Sequence, residues 1–471
     1  NIFGKTVFDI DWTDTNESKV AQGLFLGDGV NPSNDPQLRI QGNGSSLSVK
    51  HGGVTIDPAT TTSLIQFNGQ SQLTLEGDCL IYAKRPLILE QGWVLSDTTS
   101  ILYVDPTAYL ISNDSRFTSL LHAQDYYMTG SISAIESLIL DKDDLILLNA
   151  GLLSRDITIK RDGNKITGVG LFSGNLNFID YNSTLTWDLS TPISGIDVNL
   201  NGGRIRFTQN TGFTDGYTFI GTGTVDLTNR ILDLSATSTP WTGNICWIGD
   251  GATLRLNKDL ILEGFWTFSG NIILDGNEQS LYFGEGGQIK LERGAQVTFK
   301  DILLGEMSDS AGVVCSDNNC EIIFDYTDIS LGDDYSLNTG SFFVYNDTTI
   351  KSAGNSDVMY TFSYESTKTS TIDVMSALTI CDRVRFTIGR QDSTISNTSQ
   401  QPLIFMDATA PLILQGGVLH ITSSGIIMTN GITSIKESSK LEIEGNTYPY
   451  GLIIGDGTAA SDFELKIEDG S

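Results

Sequence analysis

The sequence predicts an all-β fold, a parallel β-solenoid with loop insertions over residues 23–471, preceded by a distinct segment at 1–22. Three observations lead there: a near-duplicated unit, strand alternation almost everywhere, and repeat offsets compatible with one coil length. The duplicated unit is Leu38-Arg-Ile-Gln-Gly-Asn-Gly-Ser-Ser-Leu47, ending in Gly52-Gly53, and Ile272-Ile-Leu-Asp-Gly-Asn-Glu-Gln-Ser-Leu281, ending in Gly286-Gly287. Each copy reads as a short strand, a Gly-Asn turn, a second strand and another turn. Such a unit exposes an apolar face that it buries only against a neighbouring copy, so the copies must stack.

Alternation supplies the strands. Gly203-Arg-Ile-Arg-Phe207, Thr253-Leu-Arg-Leu256, Gln296-Val-Thr-Phe299 and Lys440-Leu-Glu-Ile443 alternate polar and apolar residues and are bounded by Gly, Asn, Asp or Ser. Helical spacing at i, i+3, i+4 and i+7 is hard to find, and Arg116–Leu138 is the least regular stretch, read as a loop or a short helix.

The offsets set the coil length. Leu200-Asn-Gly-Gly-Arg-Ile-Arg-Phe207 answers Leu414-Gln-Gly-Gly-Val-Leu-His-Ile421, and Pro86-Leu-Ile-Leu-Glu-Gln-Gly92 answers Pro411-Leu-Ile-Leu-Gln-Gly-Gly417. Gly251-Ala-Thr-Leu-Arg-Leu256 answers Gly294-Ala-Gln-Val-Thr-Phe299, 43 positions on, the most demanding test of the period. A coil of about 21 residues fits, with two or three strands stacked at about 4.8 Å per rung. Gly and Asn at its corners accept positive φ at little cost, and stacked Asn side chains can hydrogen-bond along the axis. An antiparallel sandwich would need hairpin signals that are scarce here.

Composition narrows the function. With 57 acidic against 28 basic residues, the formal charge is −29. No Lys/Arg cluster is dense enough to follow a phosphate backbone, so nucleic acid is not an expected partner. No apolar run reaches the roughly 18–20 residues of a membrane-spanning helix. The start at Asn1, without methionine, fits a processed secretory precursor or a boundary within a longer chain.

Five cysteines are scattered, and only Cys315 and Cys320 lie close together. They read either as a disulfide formed outside the cytoplasm or as two buried thiols. The segment 1–22 alternates over Val7-Phe-Asp-Ile-Asp-Trp12 and then turns polar. It reads as a cap on the first rung or as an assembly strand offered to another subunit, with Val7, Phe8, Ile10 and Trp12 on it.

The segment Phe265-Trp-Thr-Phe-Ser-Gly-Asn-Ile-Ile-Leu-Asp-Gly-Asn277, followed by Gly286-Gly-Gln-Ile289 and Gly294-Ala-Gln-Val-Thr-Phe-Lys-Asp301, resembles the coils of pectate-lyase-like, right-handed parallel β-helix proteins. More narrowly, it is similar to repetitive β-helical surface and secreted proteins of bacteria. The resemblance is sharp over 250–305 and recognisable at 38–56 and 410–421. It implies a right-handed, single-stranded parallel β-helix and a secreted or surface-displayed fibrous protein. Such coils specify a scaffold and leave activity unspecified.

Chemistry on such a scaffold would have to come from side chains grafted onto its coils. The resemblance directs attention to polysaccharide lyases, which need clustered carboxylates and a base, and to hydrolases, which need paired acids. The Gly-His-Gly and Arg-Ile-Lys motifs that the resemblance would imply for the hydrolases do not occur. His51, His122 and His420 stand alone, and alternation places His420 outward on its strand. Asp9, Asp11 and Asp14 are the candidate ligands for a calcium ion, with Asp9 and Asp11 on one strand face, yet no calcium loop is completed. Asp141/Asp143/Asp144 and Asp333/Asp334 sit in loop-like contexts where turn chemistry suffices. Trp93, Trp187, Trp241, Trp247 and Trp266 form a sugar-stacking platform if they align outward, or core stacking between rungs if they point in.

No catalytic residue and no cofactor is assigned. The expectation is a non-catalytic extracellular structural protein, a self-assembling fibre or surface-layer subunit joined through its solenoid ends, secreted or at the cell surface. Two other classes stay open: a carbohydrate-binding adhesin or tailspike-like receptor binder, with polysaccharide as partner, and a polysaccharide lyase or hydrolase.

Overall fold

A computed structural model places residues 156–443, with breaks at 161, 169–170, 173, 190–196, 213–217, 235–239, 355–356, 375, 390–402, 406–410, 423–425, 429–430 and 437. Outside that span, and at a few strand positions inside it, the strand backbone alone is described. The described residues contain no helix; parallel strands stack as a β-solenoid, about 10 turns of it. Two compact units divide the chain, Asn1–Asp226 and Leu227–Ser471.

In the first unit, successive coils pair strand on strand, always parallel. One column runs through Asn164–Gly168, Thr184–Asp188 and Arg204–Phe207; another through Ser137–Leu140, Asp156–Ile159, Leu176–Phe178, Asp197–Asn199 and Thr218–Ile220. In-register pairing stacks like on like: Ile157 on Leu176 on Val198 on Phe219, and Ile166 on Trp187 on Phe207, all buried. The polar members of each strand face out, as the two-residue side-chain period requires. Fully burying each Leu, Ile, Val or Phe is worth about 1.5–3 kcal/mol before the cost of ordering the chain.

The second unit repeats the scheme on a larger scale. One column is Leu254, Leu274, Phe299, Phe324, Val344 and Ile372; a second is Leu304, Ile329, Ile350, Ile380, Leu414 and Ile435. A separate five-stranded sheet is added in its later coils by Tyr335–Leu337, Tyr360–Tyr364, Val384–Ile388, Val418–Ile421 and Lys440–Ile443. Coil length grows accordingly: Thr253 stacks on Ile273, 20 residues on, whereas Phe386 stacks on Leu419, 33 residues on.

The sequence match between 251–256 and 294–299 takes on physical meaning here. Ala252 stacks on Ile272, which stacks on Val297, so true register is 45 residues where the letters match at 43. A slip of two residues keeps every side chain on its own face, so the buried pattern Ala252, Leu254, Leu256 and Ala295, Val297, Phe299 survives it.

The corners follow the Gly/Asn expectation in part. Asn201, Asn229 and Asn277 have φ of 42°, 56° and 50°. In the repeated Gly-Gly pair, Gly286 supplies a φ of +72°, and Gly287 passes so near the Leu262 carbonyl that a Cβ would lie 1.9 Å from its oxygen. Asp301, Glu306 and Tyr326 also adopt positive φ at bends within long strands, Asp301 and Tyr326 with no glycine beside them.

Candidate functional site

The outer surface of each coil is where chemistry could be grafted, and its recurrent device is a side-chain oxygen that accepts an N–H of the following coil. Asp156 Oδ1 accepts from Asn175 N–H (2.9 Å), and Asn175 Oδ1 from Asp197 N–H (3.1 Å). In the second unit Asn244 accepts from Phe265 (3.0 Å), Asp259 from Ser280 (2.8 Å), Asp309 from Ser336 (2.6 Å), Asp334 from Thr361 (2.6 Å) and Asp347 from Ala377 (3.1 Å). These acceptors sit next to strands, where the N–H of the next coil would otherwise lack a partner. Asn side chains also bond along the axis, though to carboxylates: Asn271 donates to Asp250 (3.0 Å) and Asn346 to Asp325 (2.6 Å).

Ion pairs join neighbouring coils beside this ladder. Arg204 meets Asp226 at 2.5 Å, Lys165 meets Asp188 at 3.0 Å, Arg255 meets Asp275 at 3.3 Å, and Lys351 meets Asp328 at 2.7 Å. Asp188 is held far below the ordinary carboxylate range, chiefly because Thr208 and Gln209 donate to it, with Lys165 adding charge. An acid so engaged is a strut between coils, not a proton donor.

Two surface hollows lie on the second unit. One, of ≈ 410 Å³, is lined by Phe265, Thr267, Lys290, Glu292, Arg293 and Ser316. The other, of ≈ 270 Å³, contains Glu278, Asp301 and Asp328 beside Tyr326. In the second hollow Asp301 faces Lys300 at 3.5 Å and Asp328 is paired with Lys351. Among the described residues, no group of three or more His, Cys, Asp or Glu is arranged to hold a metal ion.

The sequence candidates separate clearly. Trp187, Trp241, Trp247 and Trp266 are all buried, and the last three form a T-shaped cluster with centroids 5.4 and 5.6 Å apart. They fill the core and offer no sugar platform; Trp93 has only its strand backbone described. His420 overturns the outward assignment: it is 4% exposed, on a strand whose four residues are all buried, with Nδ1 3.4 Å from Thr387 Oγ1. The alternation rule failed there because Val418–Ile421 is an inner strand of the added sheet, covered on both faces. Asp333 and Asp334 do turn and ladder work: Asp333 Oδ1 accepts from Asp334 N–H (2.8 Å) and Asp334 Oδ1 from Thr361 N–H.

Val7, Phe8 and Asp9 belong to the strand Lys5–Asp9, which pairs in parallel with Ser46–Lys50, Asp9 opposite Lys50. Ile10, Trp12, Asp11 and Asp14 lie outside the described residues, as do Asp141, Asp143, Asp144, His51 and His122. Within 116–138 the strands Tyr126–Met128 and Ser137–Leu140 are described, so part of that irregular stretch is extended. Cys315 and Cys320 are both buried. What sequence reasoning missed is the acceptor ladder. Asp or Asn just before a strand was its only signal, and the same letters mark ordinary turns.

No family model matches the chain, and neither a curated protein nor a solved structure shows significant similarity to it. No helix among the described residues is long and apolar enough to cross a membrane.

Proposed function

We propose that this chain is a non-catalytic extracellular structural protein, a fibre or surface-layer subunit that self-assembles by stacking coil upon coil at its solenoid ends. One observation carries the reading. Seven Asp or Asn side chains accept an N–H from the next coil in the same way, in coils of differing length. A coil edge built like this is a template for any further coil of the same kind, whether it comes from the same chain or another copy. Acidic residues spent on this ladder also account for part of the negative charge. The coils resemble those of right-handed, pectate-lyase-like β-helix proteins, and secretion or surface display fits that resemblance.

Negative-stain microscopy and sedimentation of the purified protein over a range of concentrations test the reading. Filaments or end-to-end chains that lengthen with concentration support it. A monodisperse monomer at every concentration overturns it.

One observation favours a second reading, a carbohydrate-binding adhesin or tailspike-like receptor binder. Phe343 on the strand Ser341–Val344 and Tyr345 just after it point outward, their rings stacked with centroids 6.3 Å apart, and Tyr345 is 51% exposed. Asn346 and Asp325 stand beside them as hydrogen-bonding groups. Aromatic faces flanked by such groups suit the apolar face and hydroxyls of a sugar.

A further inference from the structure

Cys315 ends the strand Gly312–Cys315, and Cys320 immediately precedes Glu321–Leu331. Residues 316–319 form a tight turn between them: Asp317 Oδ1 accepts from Asn319 N–H (2.9 Å), and the Asp317 carbonyl from Cys320 N–H (3.3 Å). The turn brings both side chains into the core, at 5% and 1% exposure. The turn leaves both residues against Gly340.

The surroundings are fitted to the pair. Cys315 continues the apolar column Trp247, Phe268, Leu291. The Cys320 thiol has the Glu292 carbonyl at 3.1 Å and Asp317 Oδ1 at 3.3 Å as acceptors. Gly340 lies against both residues: with φ at +82°, a Cβ there would sit 2.7 Å from Cys315 Sγ and 2.9 Å from the Cys320 carbonyl oxygen. Cys246 and Cys381, by contrast, lie on half-buried outer strand positions.

We infer that Cys315 and Cys320 form an intramolecular disulfide that staples the 316–319 turn, formed by exchange with a low-molecular-weight disulfide of the glutathione type. One cysteine thiolate attacks a sulfur of the small disulfide and expels one small thiol, leaving a mixed disulfide. The second thiolate attacks the protein sulfur of that bond and expels the second small thiol. The protein loses two hydrogens and two electrons, and the small disulfide gains both as two thiols. Burial pushes the Cys315 thiol far above the usual thiol range, so exchange takes place before the coil closes over the pair. In the cell the inference rests on the extracellular placement proposed above, since such a pair oxidises in an oxidising compartment; in vitro oxidative refolding tests the pairing itself apart from that reading.

Refolding the full chain in a glutathione redox buffer, alkylating it in denaturant and mapping the peptides by mass tests the inference. The peptide carrying both residues should be unalkylated and lighter by two hydrogens than its thiol form, while Cys246 and Cys381 take up label. Alkylation of both Cys315 and Cys320 after oxidative refolding overturns the inference, as does linkage of either to another cysteine. A second reading uses thermal unfolding. Dithiothreitol should lower the midpoint of the wild type and leave that of the double variant Cys315→Ala/Cys320→Ala unchanged. Equal sensitivity of the two proteins also overturns it. If the double variant does not fold, the peptide map alone decides.

Discussion

Two stretches of the second unit solve the same packing problem with different side chains. Around 241–268 the interior is filled by Trp241, Trp247 and Trp266, edge against face, with Phe268 stacked on Trp266. Around 324–386 it is filled by Phe324, Phe342, Phe362, Tyr364 and Phe386, joined ring to ring at 5.1–6.5 Å. The first stretch has short coils, with Trp247 on Phe268 at 21 residues; the second lengthens, from Ile322 on Phe342 at 20 to Ile350 on Ile380 at 30. Long coils bring in the extra sheet, and with it buried polar groups: Ser366, Ser370, Ser376, Thr387 and His420. Several of these are satisfied locally, Ser366 by the Gly340 carbonyl, Ser376 by the Tyr345 carbonyl and Ser370 by the Phe342 N–H. The short coils do the reverse, and the indole N–H of Trp266 is buried with no hydrogen-bond acceptor among the described residues. Between these two stretches, then, one core is filled by aromatic volume alone and the other by volume plus a polar network.

The sharpest way to break this comparison is to empty each core once. Trp266→Ala removes the ring that touches both other tryptophans, and its cost should fall at the upper part of the roughly 3–5 kcal/mol seen for large aromatic truncations. Phe342→Ala should cost less, because a longer coil has more freedom to collapse onto the gap. Urea unfolding measures both, and a larger loss for Phe342→Ala would refute the view that the short coils are the tighter ones. Hydrogen exchange adds a spatial check. In a stack held by nearest neighbours, Trp266→Ala should expose amides of Asn244–Leu256 and Phe265–Asp275 while those of Lys440–Ile443 keep their protection.

The polar half of the comparison rests on two tyrosines of the long coils. Tyr335 donates its hydroxyl to the Val313 carbonyl at 2.7 Å, and Tyr364 donates to the Lys368 carbonyl. Burial pushes the Tyr335 phenol well above its ordinary value and that of Tyr364 up to about 12. Both folded values exceed the unfolded one, so their contribution is complete below about pH 10 and is lost as pH rises through the folded values. The variant Tyr335→Phe should lose about 1–3 kcal/mol at neutral pH, since the Val313 carbonyl loses its buried donor. Combined with Tyr364→Phe, it should also flatten the alkaline limb of stability. An unchanged alkaline limb in the double variant would show that these phenols are reached by water.

The short-coil plan was written plainly in the letters and the long-coil plan was not. Thr253-Leu-Arg-Leu256 and Gln296-Val-Thr-Phe299 alternate because each strand has one wet and one dry face, and both bury the residues that alternation names. The same rule misplaced His420, whose strand has no wet face once the added sheet forms. Nothing in Val418-Leu-His-Ile421 announces that second covering, because it depends on how far the preceding coil has lengthened. The tryptophans were legible as aromatic and illegible as inward, since a ring suits a core or a sugar equally. Acids were the least legible of all. Asp259 and Asp334 look alike as turn residues, and only coil stacking shows that each accepts an N–H from the next coil, 21 and 27 residues away.

The smallest expected effect concerns such an acid in the first unit, where coils are short and the contact lies on the surface. Asp188 accepts from Thr208 Oγ1 at 2.7 Å and Gln209 Nε2 at 3.0 Å and pairs with Lys165. Those donors favour the charged form and hold its pKa below that of the unfolded chain, about 3.9. Its contribution is therefore present above that pH and is lost as pH falls toward the folded value. The group is half-buried at the surface, where solvent still screens the effect and keeps it under that of a fully buried pair. Asp188→Asn should lower stability slightly at neutral pH and make the acid limb shallower. Added salt should shrink the difference between the two proteins. If instead the acid limb is unchanged and salt does nothing, the outer ladder contributes geometry without charge, and the contrast between dry core and wet edge would rest on packing alone.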